Sequence, residues 1–371
     1  MTPARTADHT TLPGSPVPGV ASLGHAAPAR RVYADIFAML PSVENPTPLV
    51  RINRLAPAGA NLYAKLEWMN PLGSVKDRAA WAMIRDLEIR GELGPGRPGR
   101  GMVEPTSGNT GLSLAALASV RGYPMRAVVP SKVPREKRGL LRLAGAELDV
   151  VTDAMCPLPG SEDGSIGLAR TYARAQGDRY VMPNQYENPV NARAHEETTG
   201  PEIWNQTEGK VTHVFTSLGT CGTVTGIATF LKRQNPKVKI IAVQPSAGHD
   251  VPGLRNVSEL AVSKLYDPAL IDEIIEVDFH KAYSTAVELL RTEGLRAGPS
   301  SGLIFEGARQ LALRDGGPRG HAENPIRQQQ PELGVGGIGL GVMIFCDDVF
   351  KYVSTMLKHL PDLAPDAGEG D

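Results

Sequence analysis

Short apolar runs rich in β-branched residues alternate along this 371-residue chain with segments of helical period, and no other feature constrains its fold as strongly. Strands are expected over residues 62–66, 126–129, 147–152, 211–216, 238–243 and 342–346. Helices are expected over 76–90, 111–121, 167–176, 222–233 and 281–293. Nearly continuous apolar strands separated by helices are those of an α/β protein whose parallel sheets are covered on both faces. Ligands of such sheets bind on the loops that follow the carboxyl ends of the strands. Functional residues are therefore sought where a strand passes into a helix.

Composition removes several alternatives. The 40 glycines and 31 prolines follow no Gly-X-Y period, so a collagen-like chain is excluded. Part of that excess lies in residues 1–31, read as a disordered tail with a transit peptide as the weaker reading, and part in 315–338, read as a surface insertion. With Lys+Arg at 39 and Asp+Glu at 40 there is no basic excess, and a nucleic-acid partner is not expected. No apolar run reaches the ~18 residues of a membrane span. Cys156, Cys221 and Cys346 are odd in number and far apart without a CxxC pair. Neither a disulfide framework nor a metal site is expected, and a reducing, cytoplasmic setting fits. Two GxGxxG matches, at 94–99 and 334–339, lack the strand–loop–helix context of a dinucleotide site, and the isolated His195 lacks the second histidine of HExxH.

Four strand-to-helix loops carry the chemistry. Asn70-Pro-Leu-Gly-Ser-Val-Lys76-Asp-Arg78 leads into a helix whose apolar face is Ala80, Ile84 and Leu87, with Gly91 ending it. Ser74 and Asp77 are spaced as a capping box. Lys76 then falls in the first turn, where the helix dipole disfavours an ammonium and leaves an amine able to attack an aldehyde. An ordinary surface lysine satisfies the same local pattern. Glu104-Pro-Thr-Ser-Gly-Asn-Thr-Gly111 places small hydroxyl and amide side chains ahead of a helix N-terminus, a nest for a carboxylate or phosphate. Ser217-Leu-Gly-Thr-Cys-Gly-Thr-Val-Thr-Gly226 reads as a phosphate cradle lacking the lysine of a nucleoside triphosphatase, and Ala297-Gly-Pro-Ser-Ser-Gly302 is a further small-residue turn. Together they point to a phosphorylated cofactor.

In that order these loops resemble the fold-type II pyridoxal-phosphate enzymes, specifically the cysteine synthase and cystathionine β-synthase family, with B-type cysteine synthases and O-phosphoserine sulfhydrylases as the nearest branch. The resemblance covers roughly residues 40–310 and 345–354. It implies a tryptophan synthase β-like, two-domain α/β fold: a smaller mobile domain over 78–185, and a larger cofactor domain from 32–77 with 186–360. It makes Lys76 the Schiff-base lysine and catalytic base, and Gly219, Thr220, Cys221, Gly222 and Thr223 the cup for the phosphate of pyridoxal 5'-phosphate. Asn109 would meet the ring hydroxyl, and Ser300, with Ser301 a near rival, the ring nitrogen. Thr106, Ser107, Gly108 and Thr110, with Gln185, would clamp the substrate carboxylate. A serine at the ring nitrogen suits β-elimination and replacement, because a neutral hydroxyl does not keep that nitrogen protonated.

The expected reaction is β-replacement that makes L-cysteine from O-phospho-L-serine or O-acetyl-L-serine and a sulfur donor, sulfide or thiosulfate. Arg255, in the segment 244–256, resembles the family arginine near the β substituent, and a guanidinium suits a phosphate. A homodimer, and a sulfur-carrier protein as a further partner, are expectations from the resemblance alone. Cystathionine β-synthase, a serine/threonine dehydratase and a non-catalytic cofactor-binding partner are the rival readings. The chain departs from the family at Cys221 and Val349, where relatives often carry glycine, and in the 315–338 insertion.

Overall fold

A computed structural model describes residues 32–152, 164–316 and 338–364. The tail at 1–31 and Cys156 lie outside the described residues. The insertion lies outside them too, except that Asp315 and Gly316 are the last residues of a helix and residue 338 is described; this places its start no earlier than 317. From Met39 onward the described residues form one compact unit.

Ten strands are described: β1 Leu49–Arg51, β2 Leu62–Leu66, β3 Gly101–Pro105, β4 Met125–Pro130, β5 Ala146–Val151, β6 Tyr180–Val181, β7 His213–Ser217, β8 Lys239–Pro245, β9 Glu273–Val277 and β10 Gly341–Phe345. The helices are α1 Lys76–Ile89, α2 Asn109–Arg121, α3 Arg135–Leu143, α4 Ser165–Ala175, α5 Val190–Ala194, α6 Gly200–Gln206, α7 Gly222–Gln234, α8 Phe279–Glu293, α9 Pro299–Gly316 and α10 Val353–His359. They build a six-stranded sheet in the order β1-β2-β10-β7-β8-β9 and a four-stranded sheet in the order β5-β4-β3-β6. Every pairing is parallel except that of β1 with β2, which is antiparallel. The larger sheet is therefore mixed at one edge, where the sequence pattern led to the expectation of parallel pairing alone. A three-residue strand reached through a short loop has no room for a crossover and can only turn back.

The apolar runs of the larger sheet are buried on both faces. Phe215, Ile241, Met343 and Phe345 face a core shared with Tyr283, Leu289, Leu303 and Phe305 of α8 and α9. Their neighbours Val214, Ile240, Val342 and Ile344 face Val224, Ile227 and Leu231 of α7. Alternation of side chains along a strand explains why consecutive residues serve opposite cores. Among the described residues no helix is long and apolar enough to cross a membrane.

Helix α1 buries Ala80, Ile84 and Leu87 as its pattern requires. Its start differs from the capping box expected. Ser74 Oγ accepts from the Lys76 N–H at 3.3 Å, one residue early, and Asp77 turns back to accept from the Leu72 N–H (2.7 Å) and the Ser113 hydroxyl (2.6 Å). Asp77 is buried, so its carboxylate is committed to donors within the interior and not to the helix end.

The next residue, Arg78, enters a buried network of two cations and two carboxylates. Its Nε donates to Glu67 Oε2 (2.7 Å), and Nη1 and Nη2 to the two oxygens of Glu202 (2.5 and 2.9 Å). Lys65 Nζ donates to Glu202 Oε2 (2.5 Å), the Thr47 carbonyl and Gln206 Oε1. Burial by itself raises the Glu67 pKa, but Arg78 overrides it and brings the group down to about 2. That contribution is present above the ordinary carboxylate range and is lost as pH falls from about 4.5 towards 2. Removing one member leaves an uncompensated buried charge. Arg78→Ala is expected to lower unfolding free energy by about 3–5 kcal/mol in urea titrations, whereas a loss under about 1 kcal/mol, the scale of an exposed ion pair, contradicts the role given to the network.

Candidate active site

The carboxyl ends of β2, β10, β7 and β3, together with the loop after β6, converge on one cleft. Strand β10 lies between β2 and β7, although it comes last in the chain. That crossover sets Cys346 and Asp347 between the loop that carries Lys76 and the loop at 217–226. The joints are hydrogen-bonded: Val75 N–H donates to the Cys346 carbonyl (2.9 Å), and Gly298 N–H to the Asp347 carbonyl (3.0 Å). Lys76, Thr106, Ser107, Gly108, Asn109, Thr110, Gln185, Gly219, Thr220, Cys221, Thr223, Arg255 and Ser300 all line this single cavity. Gly222 does not line it; it opens α7 directly behind the loop.

Lys76 Nζ makes no hydrogen bond or ion pair among the described residues, and burial pushes its pKa down against the opposing pull of Cys346, Asp347 and Cys221. Desolvation, more than the helix dipole, favours the free amine here. Across the cavity, Cys221 adopts a left-handed φ of 64° ahead of α7. Gly219 sits against the Gly253 carbonyl, where an added Cβ would lie 2.7 Å from that oxygen. A loop of this shape at the head of a 13-residue helix turns backbone N–H groups toward the cavity.

The four-stranded sheet supplies the opposite wall. Thr106 Oγ1 accepts from the N–H groups of Gly108 (3.3 Å) and Gly111 (3.0 Å), closing the turn into α2. Thr110 donates to Gln185 Oε1 (2.7 Å), and Gln185 Nε2 donates to the Pro105 carbonyl (2.9 Å). Glu104 accepts from the N–H groups of Asn184 (2.8 Å) and Gln185 (3.0 Å), and burial raises its pKa to about 7 in spite of them. Asn109 Nδ2 donates to Asp347 Oδ2 at 2.6 Å, a bond across the cleft.

The two adjacent serines separate cleanly. Ser300 lines the cavity, whereas Ser301 is fully buried and its Oγ accepts from the Cys346 N–H at 3.1 Å. The buried Arg255 guanidinium lies 5.6 Å from the Tyr186 ring centroid and donates to the Glu259 carbonyl at 3.4 Å.

Sequence reasoning assigned no role to Asp347, Tyr352 or Lys137, which share the cavity. The Tyr352 hydroxyl donates to Asp347 Oδ2. The Lys137 ammonium sits 3.8 Å from the Tyr352 ring centroid, and burial pushes its pKa down to about 8. Lys137 belongs to α3, more than 200 positions from Tyr352, and no local pattern links them. The run 345–354 within the family resemblance was the available signal for Asp347 and Tyr352.

The family model for pyridoxal-phosphate dependent enzymes matches residues 40–321. The chain belongs to that family. Cysteine synthase B of Salmonella typhimurium is 40% identical over 267 residues, which span 72% of this chain and 85% of that protein. A cysteine synthase of Aquifex aeolicus is 34% identical over 90% of this chain and 94% of its own. The crystal structure of an O-ureido-L-serine synthase superposes with a TM-score of 0.75 at 30% identity, covering 92% of this chain and 98% of that one.

As a member of the pyridoxal-phosphate enzymes the chain uses pyridoxal 5'-phosphate, and the cavity residues fit that group. It offers a desolvated amine without a counter-ion for the aldehyde and a helix-head loop for the phosphate. The cavity also holds buried oxygens, Thr216 Oγ1 and Asp347 Oδ1, with no hydrogen-bond partner among the described residues.

Burial also raises the thiols, Cys346 to about 12 and Cys221 to about 11, so the nucleophilic thiolate is scarce at both. In a Cys156→Ser background at pH 8, a disulfide reagent is expected to label Cys221 and Cys346 at less than about a hundredth of the rate in the urea-unfolded chain. Labelling at the unfolded rate contradicts the burial described.

Proposed function

We propose that this chain makes L-cysteine by pyridoxal-phosphate-dependent β-replacement on O-phospho-L-serine or O-acetyl-L-serine, with a sulfur nucleophile. The observation that carries the reading is the polar inventory of the cavity: a desolvated amine at Lys76, a serine and not a carboxylate at position 300, and a buried guanidinium at Arg255. The cysteine synthases among the relatives support the product.

When bound, the cofactor supplies an electrophilic aldehyde and an electron sink for charge at the substrate Cα. The rest falls to the chain's own side chains. Lys76 would hold the aldehyde carbon and, once displaced by the substrate amine, take the Cα proton on Nζ; its depressed pKa keeps that nitrogen able to accept. The loop from Gly219 to Thr223 would hold the phosphate, Asn109 the ring hydroxyl and Ser300 the ring nitrogen. A neutral serine there leaves the ring a limited sink, which favours expulsion of a β leaving group. The turn from Thr106 to Thr110, with Gln185, would bind the substrate carboxylate through N–H and side-chain donors. Closure of the smaller domain over that carboxylate would exclude water from the reacting carbon.

Arg255 is read as the partner of the leaving group, with O-phosphoserine preferred. Arg255→Ala is expected to cut kcat/KM for O-phosphoserine by roughly 10- to 100-fold, the scale of lost charge-assisted hydrogen bonds, and to change that for O-acetylserine several-fold less. Equal losses on both donors contradict phosphate recognition. Product analysis with sulfide, thiosulfate and homocysteine tests the reaction itself: cystathionine or pyruvate as the main product would replace this reading with a cystathionine synthase or a dehydratase. A homodimer, a sulfur-carrier partner and a cytoplasmic setting rest on the family resemblance, and light scattering tests the first.

A further inference from the structure

Behind the loop from Gly219 to Thr223, helix α5 and the π-helical turn that follows it, His195–Thr199, lie against the first turns of α7. Asn191 and His195 are one turn apart on the first element, and Gly222 and Gly226 one turn apart on the second. The two pairs interlock. A Cβ on Gly222 would fall 2.2 Å from Asn191 Oδ1, and one on Gly226 would fall 2.0 Å from the Ala192 carbonyl and 2.7 Å from His195 Cβ. Both side chains reach hydroxyls of the loop from its far side: Asn191 Nδ2 donates to Thr220 Oγ1 at 3.1 Å, and His195 Nε2 lies 3.3 Å from Thr223 Oγ1.

The direction of these bonds follows from their other partners. Asn191 Nδ2 also donates to the Gln185 carbonyl (2.8 Å), which can only accept, so the amide orientation is fixed. Thr199 Oγ1 is buried, and its one hydrogen-bond partner among the described residues is His195 Nδ1 (2.9 Å). A buried hydroxyl proton goes to the acceptor it has, so Nδ1 accepts and Nε2 carries the hydrogen. His195 is held neutral: burial first, then Arg78 and Lys76, push its pKa down to about 3. Thr220 and Thr223 thus each accept from behind. Neither hydroxyl has another partner among the described residues, and both line the cavity, so each is left able to donate its proton into it.

We propose that Asn191 and His195 are positioning residues that fix the hydroxyls of Thr220 and Thr223 as donors into the cavity and thereby set the affinity of the loop for the phosphate of pyridoxal 5'-phosphate. The inference rests on reading that loop as the phosphate cup. A histidine whose ring merely filled space behind α7 would be replaceable by another ring of similar size.

Two double-mutant cycles test it, His195→Phe with Thr223→Val and Asn191→Leu with Thr220→Val. The readouts are the dissociation constant of pyridoxal phosphate on the full chain and the 31P chemical shift of the loaded protein. Each single substitution is expected to weaken binding on the order of 10-fold or more, and to move the 31P signal. Within a cycle the double variant is expected to be no weaker than the single ones, because each pair acts through one hydroxyl. His195→Gln, which can present an N–H near the Nε2 position, is expected to recover most of the affinity. Wild-type affinity in His195→Phe and Asn191→Leu, or losses that add in full within the cycles, overturns the proposal while leaving the cup intact. If Thr223→Val and Thr220→Val themselves leave affinity unchanged, the cup reading fails and this proposal falls with it. Should His195→Phe fail to fold, the Asn191 cycle and His195→Gln decide the outcome.

Discussion

The cleft depends on one buried cluster of charges. Arg78, Lys65, Glu67 and Glu202 meet with their side chains buried, and each belongs to a different piece of the frame: α1, β2, the turn that follows β2, and α6. Their mutual attraction must offset a large desolvation cost, which leaves little freedom in how the pieces sit. The cluster therefore fixes the start of α1 against the sheet. Lys76 is two residues before Arg78 on that same turn.

That proximity divides two lysine or arginine side chains by what surrounds them. Arg78 has its donors satisfied by carboxylates. Lys76 lines the cavity, half-buried, and has no carboxylate partner, so desolvation lowers its pKa. The same field reaches His195, where Arg78 and Lys76 add to burial in keeping the ring neutral. A neutral imidazole has one donor and one acceptor, and this lets it hand a hydrogen bond from Thr199 through to Thr223. The charged cluster thus acts on His195 through Arg78, whereas Lys76 is shifted by its own desolvation.

Much of the fold and of the cavity lining was legible because it is encoded locally. The strand at Leu62–Leu66 and the helix beginning at Lys76 follow from periodicity, and the loops at 104–111 and 217–226 are short runs of small residues at strand ends, whereas the 297–302 turn, expected after a strand, joins α8 to α9. What was not legible depends on long-range pairing. The capping box at Ser74 and Asp77 fails because burial sends the Asp77 carboxylate to Ser113, 36 positions away. Asp347, Tyr352 and Lys137 meet only because β10 inserts between β2 and β7 and because α3 comes from the other sheet. Ser300 and Ser301 are equivalent in sequence and are separated only by the phase of α9, which turns Ser301 toward the Cys346 N–H. His195, set aside in the sequence because it lacks the second histidine of HExxH, is buried, and its two ring nitrogens are engaged by Thr199 and Thr223, partners that no spacing rule would supply.

The central claim is that Lys76, and no other amine in the cavity, holds the cofactor. Lys137 is the internal control, since it is buried, lines the same cavity and has a pKa lowered to about 8. Borohydride reduction of the loaded protein followed by peptide mass spectrometry tests the claim directly. A pyridoxyl phosphate group is expected on the peptide containing Lys76 and none on that containing Lys137; label on Lys137, or none on Lys76, overturns the assignment of Lys76.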